Sequence, residues 1–158
     1  MDNQTKPRAI ACIPIDFSMV GFADASVHCK DGGCTVPEKI RYAAWSAYDL
    51  RFIVKEEACT TDIKGVWVAI AECKAIQLCR ELFHTEPLYI YSDSENAISI
   101  IQAIHPGWVT PLKHIRREFN AVANALAKSA PTGKGYIRFN DTKPSRFWLD
   151  WIYEESNA

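Results

Sequence analysis

Three acidic residues stand in contexts suited to metal chemistry: Asp24 in Phe22-Ala23-Asp24-Ala25-Ser26, Glu72 in Ala71-Glu72-Cys73, and Asp93 in Ile90-Tyr91-Ser92-Asp93-Ser94. Carboxylate oxygens are hard ligands, and a strand, a helix and a second strand that each deliver one acid can converge them on a divalent cation. Such a cation polarises phosphoryl oxygens and activates water, so the chemistry implied is metal-dependent attack on a phosphodiester. The segment His114-Ile115-Arg116-Arg117-Glu118-Phe119-Asn120 follows and adds a histidine and two arginines.

The elements that would carry these groups are readable from periodicity. Phe17–Ser26 reads as a strand, Tyr42–Tyr48 alternates Ala43, Trp45 and Ala47 on one side, and Arg51–Ala58 continues with Phe52, Ile53 and Val54. Three successive strands predict an antiparallel meander. A polar loop, roughly His28–Lys39, divides the first two; Asp31-Gly32-Gly33 signals a turn, and Pro37 resists regular pairing. From Val66 to Phe83 the pattern turns helical, with Val68, Glu72, Ala75, Ile76, Cys79, Leu82 and Phe83 on one face. Glu72 then lies on or beside the buried face, where an ionised carboxylate is costly unless cations offset it.

Pro87–Ser92 is a strand with Asp93 at its carboxyl end, the place where ligands gather in open α/β sheets. Ser94-Glu95 opens a helix to about Ile104, a short strand follows around Val109–Ile115, and an Ala-rich helix runs from Asn120 to about Ser129 before Pro131 and Gly133 stop it. In the remainder, Ser145 would cap a short helix with Phe147, Trp148, Trp151 and Ile152 on one stripe. That stripe would pack back on the domain; the rival reading makes the Trp148/Trp151 segment a protein-partner surface.

Whole-chain numbers set the frame. At 158 residues with 48% hydrophobic content, one domain with one sizeable core is expected. The core would span about 17–130 and an extension 131–158. No apolar stretch approaches the ~20 residues of a membrane helix and Met1–Arg8 is too polar for a signal peptide, which predicts a soluble, intracellular protein, cytoplasmic or nuclear, with no membrane partner. The six cysteines are then read as reduced thiols. A zinc site from His28, Cys29, Cys34 and Cys59 is disfavoured, because the spacing is loose and no second knuckle exists.

The net charge of −1 conceals an asymmetry. Residues 105–146 hold eight Lys/Arg against two Asp/Glu. Lys113, Arg116, Arg117 and Lys128 fall there, beside the candidate site, as a surface that would neutralise phosphates. A merely solvated face is the equal alternative.

The ordered set Asp24-Ala25-Ser26, Ala71-Glu72, Ser92-Asp93-Ser94 and His114 through Lys128 resembles ribonuclease H, in particular its compact plant-type and retroelement-type branch, over about Phe17 to Ala130. The resemblance implies a mixed five-stranded α/β sheet, the first three strands antiparallel, flanked by helices. It implies a carboxylate quartet holding two Mg²⁺ or Mn²⁺ ions, with Asp24, Glu72 and Asp93 as ligands, position 124 as the fourth, and His114 assisting proton transfer or product departure. Ser26, Ser94 and Glu95 would touch the backbone or ribose. The substrate implied is an RNA–DNA hybrid cut in its RNA strand.

Two departures qualify the resemblance. The family's Val-Ala-Asp-x-Leu-Ala has become Val122-Ala123-Asn124-Ala125-Leu126-Ala127, which keeps a carbonyl oxygen but loses a charge. A natural enzyme with a weaker site, a degraded relative that binds without cutting, and an engineered substitution all remain open. Only twenty residues separate Asp93 from His114, too few for the basic substrate-gripping protrusion of the cellular enzymes, and the Trp148/Trp151 segment would cover the sheet surface left bare. The rival functions are a non-catalytic nucleic-acid-binding or scaffold module and a related nuclease acting on DNA.

Overall fold

Period-two patterning builds the first half of the sheet. In the computed structural model, which describes residues 19–30, 36–60, 63–83, 87, 89–139 and 149–153, β1 (Val20–Cys29), β2 (Pro37–Ser46) and β3 (Arg51–Ala58) form the expected antiparallel meander. Successive side chains point to opposite faces. Phe22, Ala43, Trp45, Phe52 and Val54 therefore enter one core, and Ala23, Tyr42, Ala44 and Ile53 the other. β1 continues to Cys29, so Asp24 lies inside the strand and not near its end. Pro37 does pair, opposite Cys29 at the start of β2, where a register shift accommodates its missing donor.

Helix α1 (Lys64–Glu81) lies on β1 and β2 and buries Ala71, Ala75, Ile76, Leu78 and Cys79. The approach is close enough that a Cβ at Gly21 would collide with the Cys79 sulfur, so glycine is what lets the helix settle there. Val68, expected on the buried face, is instead 42% exposed. Trp67 and Ile70 take the core-facing positions of that turn. α2 (Glu95–Ile104) packs beside α1 and begins as predicted, with the Ser94 hydroxyl accepting from the Ala97 amide at 3.0 Å. α3 (Ala121–Ser129) covers the opposite face through Val122, Ala123, Leu126 and Ala127.

β4 (Tyr89–Ser92) joins β1 in parallel, and β5 (Leu112–His114) joins β4 in parallel. The sheet does not stop at five strands. Its order is β5-β4-β1-β2-β3-β6-β7, with β6 (Gly133–Phe139) antiparallel to β3 and β7 (Leu149–Tyr153) antiparallel to β6. The Trp-rich helix predicted from Ser145 is thus corrected: its second half is strand β7, while Ser145 to Trp148 lie outside the described residues. A short apolar run fits a strand as readily as a helix, and pairing with β6 satisfies backbone groups that a lone short helix leaves open. No helix among the described residues is long and apolar enough to cross a membrane.

Candidate active site

Register brings the first two acids together. Ala23 of β1 pairs with Ser92 of β4, so the next residues, Asp24 and Asp93, are neighbours although 69 positions apart. α1, crossing β1 on the other side, supplies Glu72 one residue after the buried Ala71. One carboxylate oxygen from each of Asp24, Glu72 and Asp93 lies within 4.8 Å of the others. It is the one cluster of metal-grade ligands among the described residues; Cys29 and Cys59 are free thiols, and Cys34 falls outside those residues.

Burial and crowding govern the charge of this cluster. Asp24 is 4% exposed; desolvation first, then the Asp93 charge, pushes its carboxyl well above the usual range. Glu72 is raised too, by desolvation and then by Asp24 and Asp93. Asp93 is raised by desolvation, against the pull of Arg117 and His114. One oxygen of Glu72 is buried with no hydrogen-bond partner. Acids packed this way, with an orphaned hard oxygen, suit a divalent cation, whose charge would offset the desolvation. The donor set therefore fits Mg²⁺ or Mn²⁺.

The acids line a cleft of roughly 440 Å³. Ser26, Ser94, Asn124, Arg117 and Lys128 also reach it. Asn124 presents its neutral amide from α3, and Arg117, from a single 3-10 turn at Arg117–Phe119, lowers the pKa of all three acids by its charge. Four residues singled out in the sequence stand outside the cleft lining. His114 ends β5 beside Ser92, half exposed, 3.7 Å from Glu95. Lys113 lies over the Tyr89 ring at 4.0 Å, and Arg116 pairs with Glu118 at 3.0 Å.

Some contributors carry little signal in the sequence. Val27 and Val68 form an apolar part of the wall. Asn120, 1% exposed, donates from Nδ2 to the Ala23 carbonyl at 2.9 Å and ties the start of α3 to the strand bearing Asp24. Its place four residues before Asn124 in the motif was the available hint. Arg41, in the middle of β2, was indistinguishable from a solvated strand residue and is in fact 8% exposed.

No family model matches the sequence, and no curated protein matches it. Among solved structures, the N-terminal RNase H domain of rv2228c from Mycobacterium tuberculosis, solved as a fusion with maltose-binding protein, is similar at a TM-score of 0.41 and 15% identity. The similarity covers 72% of this chain and 94% of that one. The strand order β5-β4-β1-β2-β3 with helices on both faces is the mixed α/β, ribonuclease H-like arrangement expected from the motifs, extended here by β6 and β7.

Proposed function

We propose that this chain is a divalent-metal-dependent endonuclease that hydrolyses the RNA strand of RNA–DNA hybrids. The carrying observation is the convergence of Asp24, Glu72 and Asp93 within 4.8 Å, in a cleft whose burial raises all three pKa values. Asp24, Glu72, Asp93 and the Asn124 carbonyl would hold two Mg²⁺ or Mn²⁺ ions. When bound, the ions supply the positive charge that activates water and steadies the departing 3′-oxygen.

The chain's own residues do the rest. Asp24, fixed by the Ala25 amide at 2.8 Å, would be the ligand shared by the two ions. Arg117 and Lys128, on the cleft wall, take the phosphates flanking the scissile bond. Ser26 and Ser94 reach the same cleft and offer hydroxyls to the backbone or to the ribose 2′-hydroxyl, the group that distinguishes RNA from DNA. His114, with Glu95 beside it, lies outside the cleft lining and suits proton exchange with solvent or product. Lys113 and Arg116 extend the basic rim.

The neutral amide of Asn124 favours one second reading, a module that binds hybrids without cutting. Cleavage of labelled RNA–DNA hybrid, with double-stranded RNA and DNA controls, in Mg²⁺ and Mn²⁺, decides between them. Hybrid-specific cutting by this chain or by Asn124→Asp, lost by on the order of a thousandfold in Asp93→Asn, is the expected result, since a charged metal ligand is worth several kcal/mol. Salt-sensitive hybrid binding without cutting in any of the three establishes the binding module instead.

A further inference from the structure

We infer that Arg41 is a positioning residue for the cleft: from β2 it holds the C-terminal carbonyls of α3 and so sets where Asn124 and Lys128 stand relative to the carboxylates. The inference rests on the metal-site reading above. α3 has nine residues, no side-chain cap at its N-terminus, and an extended alanine, Ala130, after its end where many helices place glycine. A helix so short is marginal by itself, and its last carbonyls need partners.

Arg41 supplies them. Its Nε donates to the Ala127 carbonyl at 2.7 Å, and a terminal nitrogen donates to the Ala130 carbonyl and, at 3.5 Å, toward that of Leu126. Its other terminal nitrogen meets Glu56 at 3.1 Å, which balances the charge of a side chain that is nearly buried. A cation also suits the negative end of the helix dipole. Arg41 pairs in register with Ser26 and so shares the sheet face of Asp24 and Ser26. At the other end of α3 the Asn120 amide grips Ala23. Asn124 lies between, four residues after Asn120 and three before Ala127, so its place in the cleft depends on both attachments. The three acids arrive from β1, α1 and the end of β4, and removing Arg41 would leave them in place while releasing the fourth ligand.

A double-mutant cycle tests this. Mn²⁺ affinity is measured for the wild-type chain, Arg41→Met, Asn124→Ala and the double variant, well below each melting midpoint; Arg41→Lys, which keeps the charge and one donor, replaces the methionine if that variant fails to fold. Each single change is expected to weaken Mn²⁺ about tenfold, with partial rescue in Arg41→Lys and no further loss in the double variant, because both remove the same ligand. Additive losses, an Arg41 variant that lowers only the melting midpoint, or an Asn124→Ala variant that binds Mn²⁺ normally, each overturn the inference. A wild-type chain that takes no Mn²⁺ sinks the metal reading itself. In that event the amide chemical shifts of Asn124 and Lys128 still decide, since Arg41→Met must move them and unmoved shifts refute the positioning role.

Discussion

Glu57 and Glu72 are the same residue type, and the fold treats them in opposite ways. Glu57 on β3 accepts from Lys74 at 2.8 Å and from the Tyr42 hydroxyl, and these partners hold its carboxyl below the usual range. Glu72, two positions before Lys74 on the same helix, faces Asp24 and Asp93, and its pKa goes up. One region pairs each charge where it arises. The other gathers like charges, Asp24 buried and Glu72 and Asp93 half-buried, with Arg117 the cation that eases all three. A carboxylate with a local partner is part of the scaffold, whereas like charges concentrated in a cleft are an arrangement that folding alone would disfavour.

The largest effect expected from this contrast comes from Asp24→Asn. It should abolish metal binding and cleavage, yet raise the metal-free melting midpoint, because it removes a buried charge that its neighbours repel; a gain of about 1 kcal/mol is the scale for such relief. Calorimetry in EDTA checks it, and a midpoint lowered by the substitution would mean that the acids are held by unseen donors.

Next in size is the response to pH. In the cleft the folded state binds protons more tightly than the unfolded chain, so metal-free stability should fall as pH rises above the ordinary carboxylate value of about 4 and through the raised pKa values. Mg²⁺ or Mn²⁺ should flatten that fall, since ligand binding displaces the protons. Glu57 carries the opposite sign: its lowered pKa contributes stability above the unfolded value that is lost as pH falls through the folded one. Urea unfolding from pH 4 to 9, with and without Mn²⁺, separates the two; a metal-free profile that climbs with pH would mean that the three acids do not hold their protons in the folded state.

The smallest effect belongs to Glu57→Gln. Both side chains of its pair with Lys74 are more than a third exposed, so solvent screening limits the loss to about 0.5 kcal/mol. Mn²⁺ affinity should be unchanged within error in the same titration. A loss of affinity here would show that the two regions are coupled.

Much of the scaffold was legible because it rests on local rules. The alternation around Ala43 and Trp45, the Ser94 cap and the helical spacing of Ala75, Ile76 and Cys79 all respond to nearest neighbours, and the structure places them as read. Val68 misled because helical spacing does not settle which turn sinks into the sheet; the close fit of Cys79 on Gly21 belongs to the packing that does. β6 and β7 were missed because each gains its stability from the edge it pairs with, β6 from distant β3 and β7 from β6, and not from its own sequence.

For the cleft, the sequence by itself determined the inventory: three acids on three elements, a neutral amide at position 124 and a basic stretch after residue 105. Side-chain chemistry and element type are local properties, so they could be read in one dimension. Only the tertiary structure decided that Ala23 pairs with Ser92, that α1 brings Glu72 against both aspartates, that Arg117 reaches the cleft while Arg116 does not, and that Arg41 holds α3. Those outcomes depend on strand register and helix packing across separations of tens of residues, and desolvation, which sets the charge of the acids, exists only once the chain has closed around them.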